Sequence, residues 1–297
     1  MTSTTTSYTC RYCRQTSDAT GVSCPSCGAP VDLRDVRSDS GWVEQPPIAD
    51  MARIQFGTST VQIEGTYVPV VDFNLQPPAW VYFSHHSLLW AEPSVQMTNM
   101  PMANGWSRVR AGLPLIMMQA SGPGHLALSD DYPGEVVALP LGRGQAIQVR
   151  EHRFLAATDS VKYDWQQSGI WFTTSNGNET EYHYPFGMYV DVFHADESPG
   201  LLLLHSPGNS FIRDLGPGET ICIQPSSLLY KDLSVGMALH LEYPRAAGIT
   251  WGRSYQYRQV WLRLWGPGRV AVQSVFEKAE GSMPITGSSP GTTSQHW

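Results

Sequence analysis

Apolar and polar residues alternate through most of this chain. Val61 and Ile63 alternate with polar neighbours, as do Leu126 and Leu128, Val137 and Leu139, and Ile221 and Ile223. Val260, Leu262 and Leu264 continue the pattern, followed by Val270 and Val272. A period of two over four to eight residues, interrupted by Gly and Pro, is the signature of half-buried strands. Sustained 3.6-residue periodicity is absent, and one short helix or turn is expected around "DLSVGMALH". The chain therefore reads as all-β.

One nine-residue word recurs. "SLLWAEPSV" (87–95), "RFLAATDSV" (153–161) and "SLLYKDLSV" (227–235) align without a gap. Leu89, Leu155 and Leu229 share a column, as do Ser94, Ser160 and Ser234, and Val95, Val161 and Val235. The spacing is 66 residues and then 74. Repetition at such spacing marks structural units that cannot bury their apolar faces alone and stack on their siblings. The expectation is three tandem β modules around a pseudo-threefold axis, with the Leu and Ser-Val columns at inward strand and turn positions. Two lesser words support it. Pro-Gly-Glu occurs at 133–135 and 217–219, with Pro77-Pro78 in the first copy, and a Pro-Gly step precedes a strand at 123, 207 and 267. The last of these, ahead of Val270, is expected to close the body by pairing back near module one.

Composition sharpens this reading. The 297 residues hold 41% apolar residues with 10 Trp and 13 Tyr, while charged residues make up 15%, against about 25% in an average soluble domain. The net charge of −7 opposes nucleic acid and anionic membrane on average. No apolar run approaches the roughly 20 residues of a membrane helix. The opening "MTSTTTSYTC" lacks the basic and apolar regions of a secretory signal. A cytoplasmic location is the expectation.

Four of five cysteines fall at the front: Cys10 and Cys13 in "CRYC", Cys24 and Cys27 in "CPSC". Each C-x-x-C folds into a knuckle that aims two thiolates at one centre, and two knuckles complete a structural Cys₄ zinc site. Gly28 suits the tight knuckle. Disulfides would need an oxidising compartment, and a redox C-x-x-C would sit beside a βαβ unit, which is missing. One zinc per chain is expected, structural because a Cys₄ site has no open position. Residues 1–40 balance four Arg against four Asp, so the ribbon carries no phosphate-binding footprint. Cys222, in "TICIQ", is expected to be a buried small hydrophobe.

The resulting division is a zinc ribbon at 1–35 and a linker at 36–50. A three-module β domain follows at 51–278 (about 51–107, 108–167 and 168–278). A tail rich in Ser, Thr, Gly and Pro, 279–297, is expected to be disordered.

These residues resemble a known family. The three modules, the Pro-Gly-Glu turns, "LLYKDLSV" and the late "GPGRVAVQS", with Val270 followed by Gln273, look like the altered-inheritance-of-mitochondria twenty-four family. The resemblance covers about 51–278. It implies three β modules similar to the tryptophan RNA-binding attenuation protein, within the double-stranded β-helix group. The family has no accepted catalytic residues, so it carries none over. This chain departs from the pattern at "HHSLLW" in module one and adds the ribbon.

No catalytic pattern emerges. There is no H-x-H with a later carboxylate, no G-x-S-x-G elbow and no P-loop. Glu135 and Glu219 read as equivalent turn residues rather than an acid pair. The chain is expected not to be an enzyme. One stretch exceeds packing needs: residues 243–276 hold Arg245, Arg253, Arg258, Arg263 and Arg269 with five interleaved Trp and Tyr. The stretch holds no Asp or Glu, and in a strand Trp261, Arg263 and Trp265 would share one face. Such a face serves intramolecular stacking, a protein or self-association interface, or a single-strand nucleic-acid platform. The function expected is a non-enzymatic scaffold or protein-interaction protein, with a protein partner or homo-oligomer. The alternative is binding of RNA or single-stranded nucleic acid.

Overall fold

A computed structural model describes residues 7–10, 13–18, 23–29, 42–44, 53–100, 117–176, 179–243, 259–277 and 285–296. The chain is all-β, and its body is three copies of one six-stranded unit. Module one holds β6 (Val70–Leu75), β7 (Trp80–Ser84), β8 (Leu88–Ala91), β9 (Gln96–Asn99), β10 (Met117–Ser121) and β11 (Gly124–Ser129). Module two holds β12 (Gly134–Leu141), β13 (Gln145–Arg150), β14 (Phe154–Thr158), β15 (Lys162–Gln167), β18 (Tyr189–Ala195) and β19 (Gly200–Pro207), with an inserted hairpin of β16 (Phe172–Asn176) and β17 (Glu179–His183). Module three holds β20 (Ser210–Leu215), β21 (Thr220–Ile223), β22 (Leu228–Asp232), β23 (Gly236–Tyr243), β24 (Gln259–Trp265) and β25 (Gly268–Gln273).

The pairing repeats in every module. The sixth strand lies antiparallel between the first and third: β11 between β6 and β8, β19 between β12 and β14, β25 between β20 and β22. The fifth lies between the second and fourth: β10, β18 and β24 in turn. Modules join where the third strand of one pairs the second strand of the module before it, β14 with β7 and β22 with β13. These junctions create a six-stranded and a seven-stranded sheet.

The recurring word builds one turn three times. The Val95, Val161 and Val235 amides donate to the carbonyls of Glu92, Thr158 and Asp232 at 3.0, 3.0 and 3.1 Å. The side chains of those same three residues then accept from the sixth strand. Glu92 Oε2 receives the His125 amide at 3.0 Å, Thr158 Oγ1 the Leu201 amide at 2.9 Å, and Asp232 Oδ2 the Arg269 amide at 2.7 Å. Each Ser-Val step also presses against the glycine that opens the sixth strand. A Cβ on Gly124, Gly200 or Gly268 would fall 2.5–2.6 Å from the hydroxyl of Ser94, Ser160 or Ser234. The word recurs because one turn fastens the third strand of each module to its sixth.

The Val column is buried throughout, at 7%, 1% and 1% exposure. The Leu column is not. Leu155 and Leu229 are 1% and 0% exposed, whereas Leu89 is 55% exposed. Leu155 joins a core cluster with Phe73, Phe83 and Leu126, and Leu229 one with Tyr82, Phe193 and Leu202. The third cluster, around Leu228, Leu239 and Leu262, contains no residue of β8. The reason is positional. β14 and β22 each sit inside a sheet, while β8 ends one.

Several expectations are corrected. β25 does not pair back to module one; it closes module three, as β11 and β19 close theirs. Module borders therefore fall near 70–129, 134–207 and 210–273 rather than near 107 and 167. The two Pro-Gly-Glu words are not equivalent, since Glu135 opens β12 while Glu219 lies between β20 and β21. The turn matching 216–219 is 76–79 in module one and 142–145 in module two, each closed by an i→i+3 amide bond of 3.0–3.1 Å. "DLSVGMALH" forms a turn and strand. The tail is not structureless: β26 (Ile285–Ser288) pairs β16, and β27 (Thr293–His296) runs parallel to β23. Backbone bonds from existing strands order a segment whose composition alone would not. Within the expected linker, β3 (Val43–Glu44) pairs β20; most of 36–50 lies outside the described residues. β4 (Arg53–Phe56) and β5 (Ser59–Glu64) extend the sheet of β6.

Candidate metal centre and interaction surface

The N-terminal unit is built on a hairpin of β1 (Ser7–Thr9) and β2 (Thr16–Asp18), paired Tyr8 to Ser17. Two knuckles have the same bonds. Arg14 N–H donates to the Cys10 carbonyl and Gly28 N–H to the Cys24 carbonyl, each at 2.8 Å. The residue after each second cysteine turns through positive φ, 60° at Arg14 and 72° at Gly28. Only a short list of residues tolerates that conformation, and glycine tolerates it best.

The knuckles face each other. All four sulfurs lie within 4.8 Å of one another, with Cys10–Cys27 and Cys13–Cys24 each at 3.7 Å. That is far beyond a disulfide bond of about 2.05 Å, and all four are free. Tyr8 and Ala29 pack against Cys10 and Cys24, which are buried. The Tyr8 hydroxyl beside it, then the Cys27 amide, bring the Cys24 thiol down to about 6. At Cys27 the Ala29 amide pulls downward, but burial and the three neighbouring sulfurs outweigh it and push the thiol up to about 12. Four thiolates crowded together repel, and a cation at their centre is what lets them ionise as a set. The four cysteines can hold a metal ion, as the spacing predicts. Among the described residues no other group of three or more His, Cys, Asp or Glu is placed to share one.

Trp261, Arg263 and Trp265 do share one face of β24, half-buried, with Val260, Leu262 and Leu264 buried on the other. The Arg263 guanidinium lies over the Trp265 ring, 5.3 Å from its centroid. Trp261 Nε1 donates to Glu242 Oε2 at 2.7 Å. Trp265 covers Gly236, where a Cβ would fall 2.0 Å from the indole. Much of this aromatic-cationic face is thus engaged within module three. Arg245, Arg253 and Arg258 lie outside the described residues. Cys222 is exposed, not buried. It pairs with Arg263 across the ladder, and its strand β21 ends a sheet.

The two glutamates serve turns and junctions. Glu219 accepts the Gly216 amide at 2.9 Å and pairs with Arg213. Glu135 accepts from the Ser210 amide at 3.0 Å and from Asn209 Nδ2 at 2.8 Å, tying β12 to the start of β20. Sequence reasoning did not single out Lys231, which is 4% exposed inside the third copy of the word. Its Nζ donates to the Val235 carbonyl at 2.7 Å, and burial brings its pKa down to about 8. The signal was present, as Lys231 stands between Tyr230 and Asp232 in a strand whose copies there are Ala91 and Ala157.

No helix among the described residues is long and apolar enough to cross a membrane. No curated protein matches the chain. A crystal structure of a Streptococcus pyogenes protein is similar in fold, with a TM-score of 0.53 and 21% identity, covering 73% of this chain and 94% of that one. Residues 61–275 match the family described as Mitochondrial biogenesis AIM24. With that match running from β5 through the last strand of module three, the chain belongs to the AIM24 family.

Proposed function

We propose that this protein is a non-enzymatic scaffold that works by protein contact, in the cytoplasm, with one structural zinc per chain. The observation that carries the reading is how the recurring polar side chains are used. Glu92, Thr158 and Asp232 cap turns, and Glu135 and Glu219 fasten strands. The repeated chemistry of the body goes into architecture.

Zinc is favoured by sulfur spacing. With Zn–S bonds of about 2.3 Å, a regular tetrahedron sets sulfurs about 3.8 Å apart, close to the two 3.7 Å cross-knuckle separations. The four sulfurs leave no open coordination position, so the metal would hold the ribbon together rather than turn over substrate. RNA or single-stranded nucleic acid is the second reading, supported by the Trp261–Arg263–Trp265 face and opposed by the net charge of −7.

Native mass spectrometry of the protein isolated from its own host tests the first reading. One zinc per chain and a co-purifying protein are expected, with zinc lost from Cys24→Ser while the body stays folded. Zinc-free protein would overturn the metal assignment. A chain that carries no protein partner but retains oligonucleotide, released steeply by salt, would overturn the scaffold reading in favour of the second.

A further inference from the structure

The threefold pattern leaves one junction unmade. Two of three third strands pair a second strand, β14 with β7 and β22 with β13. Among the described residues the remaining third strand, β8, has only β11 beside it, and the remaining second strand, β21, has only β24. Both edges are apolar or neutral. β8 reads Leu-Leu-Trp-Ala and β21 reads Thr-Ile-Cys-Ile, with no charge and no proline. Three other sheet-ending strands of the body carry the usual deterrents, Arg53 in β4, Glu135 and Pro140 in β12, Lys162 and Asp164 in β15, while β9, Gln-Met-Thr-Asn, is uncharged but mostly polar. Natural edges are protected in that way because an open ladder recruits another strand. Here Leu89 and Trp90 are 55% and 45% exposed, while all five residues of the equivalent β14 are buried.

We propose that these two edges bind a second copy of this chain, β8 of each copy pairing antiparallel with β21 of the other. The inference rests on the contact reading above and names the partner. Each edge calls for the strand type that the other supplies, because third pairs with second at both internal junctions. One chain holds both edges, yet among its described residues neither gains a second neighbour. A second copy brings both edges at once, and a twofold axis satisfies all four reciprocally.

The internal junctions also set the register. Ala156 faces Phe83 and Ala157 faces Tyr82; Tyr230 faces Val149 and Lys231 faces Gln148. Carried to the open edges, this places Trp90 opposite Ile223 and Ala91 opposite Cys222 of the second copy. Arg263 and Trp265, beside Cys222 and Thr220 in the ladder, then border the new seam.

The test uses the full chain purified alone. Sedimentation equilibrium is expected to give a dimer that dissociates on dilution. The double variant Leu89→Lys, Trp90→Lys changes only exposed side chains; it is expected to weaken the dimer about tenfold or more with an unchanged circular dichroism spectrum. Ala91→Cys, oxidised with diamide, is expected to give a cross-linked dimer that vanishes when Cys222→Ser is added. A wild-type chain that stays monomeric at every concentration overturns the proposal. So does a dimer indifferent to the lysines, or an Ala91→Cys cross-link confined to a single chain. A monomer that still carries a partner protein from its host removes the second copy and leaves the scaffold reading standing.

Discussion

The leucine column allows one substitution to be made at three matching positions of the repeated word. Leu155→Ala and Leu229→Ala each empty a fully buried site, since those side chains are 1% and 0% exposed. Lost transfer energy plus the residual cavity puts the cost at about 2–5 kcal/mol each. Leu89 is 55% exposed, so less than half its side chain is out of water and little cavity remains. At about 1.5–3 kcal/mol for complete burial of such a side chain, Leu89→Ala costs about 1 kcal/mol or less. For a body of this size, 1 kcal/mol shifts Tm by roughly 2–4 °C. The buried variants should therefore melt about 4–20 °C lower, and Leu89→Ala within about 4 °C of the parent. Urea denaturation followed by tryptophan fluorescence, with m held common, measures all three. Repetition over a concentration series separates the seam from the core. Only the Leu89 effect should grow with protein concentration, because only that side chain gains cover from a second copy. Equal costs at all three positions in dilute protein would mean that β8 is covered within the lone chain, and the open-junction argument would fall.

Two further predictions concern the recurring turn. Gly200→Ala would put a Cβ 2.5 Å from both Ser160 Oγ and Val161 Cγ2, an overpacking worth about 1–3 kcal/mol, whereas Gly216→Ala, with only the flexible Glu219 carboxylate at 3.7 Å, should cost far less; urea midpoints compare them. Burial lowers Lys231 from 10.5 to about 8, so between those values the unfolded chain binds more protons and stability rises with pH. Lys231→Met should remove that rise, worth up to about 3 kcal/mol, from urea midpoints measured between pH 7 and 10; a parallel rise in the variant would assign it to other groups.

What was legible in the sequence was local. Alternation in Val260, Leu262 and Leu264 reports burial on one face, and all three are buried. The Ser-Val word encodes a turn whose bonds close within four residues, so it survives in three copies. The cysteine spacing and Gly28 specify knuckles that need no distant help. What was missed is set by partners far along the chain. β25 looks like a free closing strand until its pairing with β20 and β22 is known. Ile285–Ser288 is polar enough to read as tail, yet β16 supplies its ladder. Cys222 reads as core from its apolar neighbours, but its exposure depends on whether a strand lies beyond β21. The Trp261–Arg263–Trp265 face was placed correctly by period two, while the Glu242 bond that engages it comes from a neighbouring strand.

The inequality of Leu89 and its two counterparts has a consequence for how such a shape is inherited. Three identical polypeptides obeying a true rotation must treat every contact alike, all closed or all open. Covalent fusion lifts that obligation. Once the units share one backbone, one edge can drift toward a separate purpose while the other two junctions keep the modules joined.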